Sequence, residues 1–158
     1  MGILSRRQVP RWVDGSLRIV THLGGGGLSI AICLSFLAIP TCRHVGVLAA
    51  LANLLSHFVV QLLKRTVVRS RPSIRLQHVV PLAALPDPWS FPSGHGCAAA
   101  AIGMTIALEW PIVTVPVLGL AAIVGASRVY LRIHYPTDVV VGQLIGGITA
   151  LLVRLMLP

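Results

Sequence analysis

The segment VVVGQLIGGITALLVRLML, residues 139–157, carries a single charged residue, Arg154. A helix rises 1.5 Å per residue, so these residues reach about 28 Å, close to the thickness of the hydrocarbon core of a bilayer. The apolar residues form a block and do not alternate with polar ones, as they would in a half-buried strand. The segment therefore predicts a helix that crosses a membrane.

Four similar segments precede it, and tight turns join the first to the second and the third to the fourth. Of the 158 residues, 55% are hydrophobic and 11% are charged, against about 25% charged in a soluble domain. The sequence predicts one membrane-embedded domain, residues 1–158, with an all-α fold: a polytopic helical bundle of about five transmembrane helices. The four further spans are expected at about Leu17–Ile39, His44–Leu63, Gly96–Trp110 and Pro111–Ala126.

The N-terminal residues and the net charge both indicate contact with lipid. Residues 3–14 mix apolar and basic positions around Trp12, so residues 1–16 are predicted to lie at the membrane interface. The formal net charge is +9, and the arginines flank apolar segments instead of forming a basic face with interleaved aromatic residues. Membrane lipids and a phosphate-bearing substrate are therefore the expected partners, and nucleic acid is not.

One predicted span carries a polar stripe. Asn53, His57 and Gln61 follow one another at four-residue spacing, and Lys64 comes three residues later, so the four share roughly one helix face. Polar groups in a span usually face the interior of the bundle or a water-filled cavity. Two interpretations stay open, namely hydrogen bonds between helices and support for a polar site at the Lys64 end.

Two clusters carry groups suited to an anion. In KRTVVRSRP, residues 64–72, Lys64 and Arg71 offer fixed positive charges, and a guanidinium can hold two phosphate oxygens at once. In FPSGHG, residues 91–96, Ser93 is the expected N-cap of a helix whose free N–H groups suit an anion. Gly94 allows a ligand to approach the backbone, and His95 can exchange protons.

The third cluster is SRVYLRIHYPTD, residues 127–138, between two apolar runs. It contains Arg128, and its His134 and Asp138 are four residues apart. A carboxylate near one imidazole nitrogen can fix the tautomer and leave the other nitrogen free to attack. In a bundle of five antiparallel spans all three clusters fall on one membrane face, so we expect them to form one site.

Together these residues resemble the signature of the type 2 phosphatidic acid phosphatase superfamily, which also includes vanadium haloperoxidases. The three parts of the signature occur in order: Lys64 with Arg71-Pro72 after six residues, Pro92-Ser93-Gly94-His95, and Ser127-Arg128 with His134 after five residues and Asp138 after three more. The chain is similar to a small bacterial membrane member. Two predicted spans precede the first motif, where membrane members commonly have three.

The resemblance implies a role for each matched residue. His134 resembles the nucleophile that forms a phosphohistidine, Asp138 the carboxylate that orients it, and His95 the general acid that protonates the leaving oxygen. The phosphoryl oxygens would be held by Lys64, Arg71, Ser93, Gly94 and Arg128. Such a ring of cations neutralises charge without a metal, and the chain has only four acidic residues, so no catalytic metal and no cofactor are expected.

The implied function is that of an integral membrane lipid phosphate phosphatase, which cleaves a phosphate monoester or pyrophosphate on a lipid. Phosphatidic acid, phosphatidylglycerophosphate, polyprenyl pyrophosphate and a polyprenyl-linked sugar phosphate all stay open as substrates. The loop at 73–90, with Arg75 and His78, is the expected headgroup selector. The alternative is a non-catalytic lipid-phosphate binder or transporter. A haloperoxidase is disfavoured because the short loops leave little room for its soluble scaffold.

The basic residues also predict the side of the membrane that the site faces. With two spans before Lys64, the N-terminus shares the face of the site. Without the expected phosphate ligands, that face has eight basic residues against two, Arg43 and Arg154, on the other. The eight are Arg6, Arg7, Arg11, Arg18, Arg65, Arg69, Arg75 and Arg132. The positive-inside rule therefore predicts a protein of the bacterial cytoplasmic membrane with its site on the cytoplasmic face. The resemblance favours the other side, since many bacterial members work on the outer face.

Overall fold

The computed structural model describes residues 10–76, 79–85 and 87–158. These residues form helices, turns and one isolated bridge between Ser70 and Trp89, so the predicted all-α class is confirmed. The helices are α1 (Arg11–Val20), α2 (Gly26–Ala38), α3 (Arg43–Val67), α4 (Pro72–Arg75), α5 (Gly94–Glu109), α6 (Thr114–Tyr130) and α7 (Pro136–Met156).

The first predicted span is interrupted, which corrects the continuous helix expected over Leu17–Ile39. A 3₁₀ turn at Thr21–Gly24 separates α1 from α2, and the two helices are bent by 61°. Four consecutive glycines, 24–27, weaken a helix here because glycine has more conformational freedom to lose than any other residue. Gly25 is extended, with φ −72° and ψ 145°.

The bend leaves α1 at the end of the bundle where α6 finishes, since the Tyr130 hydroxyl donates to Asp14 Oδ1 at 3.1 Å. Trp12 on α1 is 73% exposed. Residues 1–9 of the predicted interfacial segment lie outside the described residues, and the interfacial position of the segment stays a prediction.

Within the described residues, three helical segments are long and apolar enough to cross a membrane, namely Pro40–Val67, Pro111–Tyr130 and Pro136–Met156. The bent pair of α1 and α2 makes a fourth if it counts as one span. Helix α5 has 16 residues, which reach about 24 Å and fall short of a typical span. The membrane bundle is therefore supported, and the number of five spans stays a prediction.

Helix α5 lies at the centre and packs against α3, α6 and α7. Small residues allow its backbone to approach α7 closely, because a Cβ at Gly146 would collide with the Cys97 carbonyl oxygen and one at Gly142 with that of Ser93. Such contacts between small residues are how helices pack closely in lipid. The start of α5 is thereby held against the start of α7, which carries Asp138.

Candidate active site

A cavity of about 380 Å³ opens where α3 ends, α5 begins, α6 ends and α7 begins. Six of the eight predicted site residues line it, as the topology predicted: Lys64, Arg71, Gly94, His95, Arg128 and His134. Ser93 and Asp138 are fully buried, and neither is among the described residues that line the cavity. Residues from three clusters that are far apart in sequence therefore meet at one cavity.

His134 lies in the connection between α6 and α7 and is 3% exposed. Its Nδ1 is 2.6 Å from the Ser90 carbonyl oxygen, which only accepts, so Nδ1 carries the ring proton. The Nε2 lone pair then accepts a long hydrogen bond from Arg71 Nη1 at 3.4 Å, a contact that a bound phosphoryl group would replace. Burial lowers the pKa of His134, Arg71 and Arg128 act in the same direction, and Asp138 opposes them. A neutral imidazole near pH 7 is the form that a nucleophile needs.

Asp138 does not make the direct hydrogen bond that was expected with His134. Its Oδ2 lies 3.8 Å from His134 Nδ1, which is longer than a hydrogen bond. The carboxylate accepts instead from the Tyr135 N–H at 2.8 Å and from Arg69 Nη1 at 2.7 Å. The short contact to the His134 imidazole therefore comes from the Ser90 carbonyl. Asp138 lies farther from the ring and is hydrogen-bonded to Arg69.

Asp87 lies between two of the predicted phosphate ligands. Its Oδ2 is 2.6 Å from Lys64 Nζ, and its Oδ1 is 3.1 Å from Arg71 Nη2. Partial burial acts to raise the pKa of Asp87, but Lys64, Arg71 and the Trp89 N–H outweigh it, so this pKa lies below its usual value. Lys64, Arg71 and Arg128 together with ionised Asp87 give the site a net charge of about +2. This charge suits a phosphate monoester, whose own charge is about −2.

The 3₁₀ turn before α2 closes another side of the cavity. Arg128 Nη1 donates to Thr21 Oγ1 at 2.8 Å, and both residues are buried. Arg128 Nε is also buried and has no hydrogen-bond partner within the described ranges. An unsatisfied buried donor is costly, so this guanidinium is suited to an added anion.

The loop at 73–90 contributes differently from what was expected. Its Asp87 reaches the cavity, whereas Arg75 is exposed and is not among the described lining residues. His78 lies outside the described residues. Headgroup selection by this loop stays a prediction.

Away from the charged groups, the cavity continues between α2 and α3. Apolar side chains line this part, including Ile30, Leu34, Leu37 and Leu54. A site for an anion thus opens into an apolar cleft, an arrangement that fits a molecule with a charged end and a hydrocarbon chain.

Three comparisons place the chain among known proteins. The sequence profile of the PAP2 superfamily matches residues 45–158. Decaprenylphosphoryl-5-phosphoribose phosphatase of Mycobacterium tuberculosis is 33% identical over 137 residues, which cover 82% of this chain and 72% of that protein. The structure of Aquifex aeolicus LpxE superposes with a TM-score of 0.82 at 27% identity, over 94% of this chain and 88% of that one.

The transmembrane PAP2-type phosphatidylglycerolphosphate phosphatase of Bacillus subtilis superposes with a TM-score of 0.75, also at 27% identity. That match covers 95% of this chain and 78% of the other. The profile and the relatives indicate the same family as the three-part signature, and the apolar helices are those of a membrane protein. The chain therefore belongs to the PAP2 superfamily and is an integral membrane protein.

Proposed function

We propose that the chain is a single membrane-embedded phosphatase domain that removes phosphate from a lipid phosphate. The observation that carries the proposal is the cavity itself, where His134, His95 and three cations share a space with an apolar cleft. The phosphoryl group would bind at the charged end while the hydrocarbon chain stays between α2 and α3.

The reaction would proceed in two steps. First, Nε2 of neutral His134 attacks phosphorus, an N–P bond forms and the bond from phosphorus to the lipid oxygen breaks. His95, which takes up a proton when the anionic substrate binds beside it, donates that proton to the departing oxygen. Then water gives a proton to His95 and attacks the phosphohistidine, and the N–P bond breaks to release inorganic phosphate. Catalysis would rest on positioning and on neutralisation of charge by Lys64, Arg71 and Arg128.

Ser93 and Asp138, the two predicted site residues outside the cavity lining, would position the groups that contact the substrate. Ser93 caps α5, since its Oγ accepts the Gly96 N–H at 3.3 Å, and its own N–H donates to the Asp138 carbonyl at 2.9 Å. We assign Ser93 to placing the Gly94 backbone for the phosphoryl oxygens, in place of the direct contact that the signature suggested. Asp138 would hold the His134 ring together with the Ser90 carbonyl.

Phosphate release by the purified protein tests this function. We would assay a panel of four substrates: phosphatidic acid, phosphatidylglycerophosphate, undecaprenyl pyrophosphate and a polyprenyl-linked sugar phosphate. The last is included because the chain is similar to a decaprenylphosphoryl-5-phosphoribose phosphatase. We expect release from at least one of them in EDTA, inhibition by orthovanadate, and none with His134→Ala. Binding of these lipids without release from any would favour the binder or transporter.

The pKa of His134 predicts the acid side of the pH profile. An imidazolium cannot attack phosphorus, so kcat/KM falls as the pH drops through this pKa, and burial places it below the ordinary value of about 6.5. Asp138 raises the pKa, so Asp138→Asn should move the midpoint to lower pH and reduce kcat. We would measure kcat/KM across about pH 4–8 for the wild-type protein and Asp138→Asn. With the same substrate in both series, the titration of the substrate affects both midpoints equally. A midpoint that moves upward in Asp138→Asn would contradict the prediction.

Gly24 is predicted to be essential for the position of His95. A Cβ at Gly24 would collide with the His95 carbonyl oxygen, whereas a Cβ at Gly27, which is not among the described residues that line the cavity, meets nothing within 4 Å. We expect Gly24→Ala to lower phosphate release about 10- to 100-fold, because small displacements of a catalytic group are costly. Gly27→Ala is the matched control and should keep its activity, and equal losses in the two variants would refute this role.

We also infer from the charge distribution that the site faces the cytoplasm. Ser70 is exposed near the site, and Thr41 is exposed at the turn between α2 and α3, at the other end of the bundle. In a cysteine-free background, an impermeant maleimide added to intact cells should label Thr41→Cys and leave Ser70→Cys unlabelled until lysis. The reverse pattern would place the site outside.

A further inference from the structure

The polar stripe on α3 is divided between two environments. Asn53 Nδ2 donates to Ser29 Oγ on α2 at 3.4 Å, so Asn53 joins two helices. His57 and Gln61 line the cavity, and in the described part of the chain their side chains hydrogen-bond to each other alone, with Nε2 atoms 3.0 Å apart. The two interpretations of the stripe therefore apply to different residues.

His57 and Gln61 lie on the hydrocarbon side of the charged groups. They precede Lys64 by seven and three residues, so along the helix axis they are about 10 Å and 4–5 Å from it. The neighbouring side chains that face outward are apolar, with Phe58 68% and Leu62 55% exposed. Polar groups at this depth are costly unless a partner satisfies them. His57 and Gln61 are themselves exposed within the cleft, so the remaining hydrogen-bonding capacity of both side chains is open to a polar ligand.

The chemistry of the pair defines that ligand. A carboxamide and an imidazole each donate and accept, which complements hydroxyl groups, and neither provides a fixed positive charge. The cations among the described lining residues are Lys64, Arg71 and Arg128, which surround the phosphate site. A second phosphate is therefore poorly matched to the position of His57 and Gln61, and an uncharged polyhydroxyl group is well matched.

We propose that His57 and Gln61 form a second subsite, which binds a hydroxyl-bearing group such as a sugar ring between the terminal phosphate and the hydrocarbon chain of the substrate. The subsite rests on the proposed function, which supplies a phosphate at one end and a chain at the other. It favours a sugar-linked phosphate monoester over a pyrophosphate.

Two synthetic probes with one tail test the subsite. Dodecyl β-D-glucoside 6-phosphate has a sugar between phosphate and chain, and dodecyl phosphate has none. We expect the wild-type protein to hydrolyse the glucoside with the higher kcat/KM. His57→Leu and Gln61→Leu should each lower the ratio of the two kcat/KM values about three- to tenfold, the loss expected for one hydrogen bond.

Two further variants separate binding from structure. His57→Gln keeps a donor and an acceptor and should retain most of the ratio, and Phe58→Leu, which faces lipid on the same helix, should leave the ratio unchanged. A ratio unaffected by both leucine variants, or a wild-type preference for dodecyl phosphate, would overturn the subsite.

Binding to His134→Ala distinguishes failure of the subsite from failure of the proposed function. In His134→Ala, the glucoside should bind more tightly than dodecyl phosphate, and this difference should disappear when Gln61→Leu is added. That result would support the subsite even if the wild-type protein hydrolysed neither probe. Hydrolysis of both probes with no such difference in binding would refute the subsite and leave the phosphatase standing.

Discussion

Replacement of His134 by alanine is expected to reduce phosphate release from a lipid phosphate by about 10⁴-fold or more, as loss of a nucleophile does in other enzymes. A methyl group cannot accept the phosphoryl group, and no other described imidazole takes the same place beside Ser90 and Arg71. Initial rates of the purified variant and wild-type protein, with the substrate found in the panel, measure the effect.

The variant must also fold, because His134 is almost fully buried. Elution as a single species in detergent and an unchanged helical circular dichroism spectrum would establish this. His44→Ala is a suitable control, since His44 lies at the start of α3, away from the cavity, and is about half exposed. Near-normal release by His134→Ala would exclude this histidine as the nucleophile.

His95→Ala is expected to lower the rate of phosphohistidine formation about 10²–10⁴-fold with a lipid phosphate and far less with an activated aryl phosphate. A general acid matters most when the departing oxygen is strongly basic, as the alkoxide of a lipid alcohol is. An aryl oxide with a low pKa leaves without help, so this substrate should still phosphorylate the protein.

Rapid-quench measurement of phosphohistidine formation from both substrates, with the wild-type protein and with His95→Ala, gives the comparison. Phosphate release alone would not, because the second step also uses His95 whichever substrate is supplied. His134→Ala serves as the reference, because loss of the nucleophile should suppress both substrates to the same extent. Equal losses in His95→Ala would remove His95 from the role of acid and leave it a structural part of α5.

The arrangement of the site follows from sequence because membrane helices constrain topology so strongly. Antiparallel helices bring the end of α3, the start of α5 and the α6–α7 connection to one face, whatever their detailed packing. The N-cap at Ser93 was predicted from the local residue types, since a serine directly before an apolar helix is a typical N-cap. The sequence displays such a feature directly.

Other features depend on contacts that leave no pattern in a single sequence. The hydrogen bond to His134 comes from the backbone carbonyl of Ser90, and any residue at that position has a carbonyl. Asp87 and Arg69 are single charges whose partners lie 23 and 69 residues away. The interruption at Gly24 had a visible signal in its four glycines, but the long apolar run outweighed it in the prediction.

Transfer of labelled phosphate to His134 is the most direct test of the proposed reaction. The wild-type protein is mixed with a lipid phosphate that carries a radiolabel on its terminal phosphorus, sampled by rapid quench into alkali, and digested. We predict label on the peptide that contains His134, its loss during a chase with unlabelled substrate, and its absence in His134→Ala. Label on another residue, or phosphate release with no labelled protein at any time point, would contradict the mechanism.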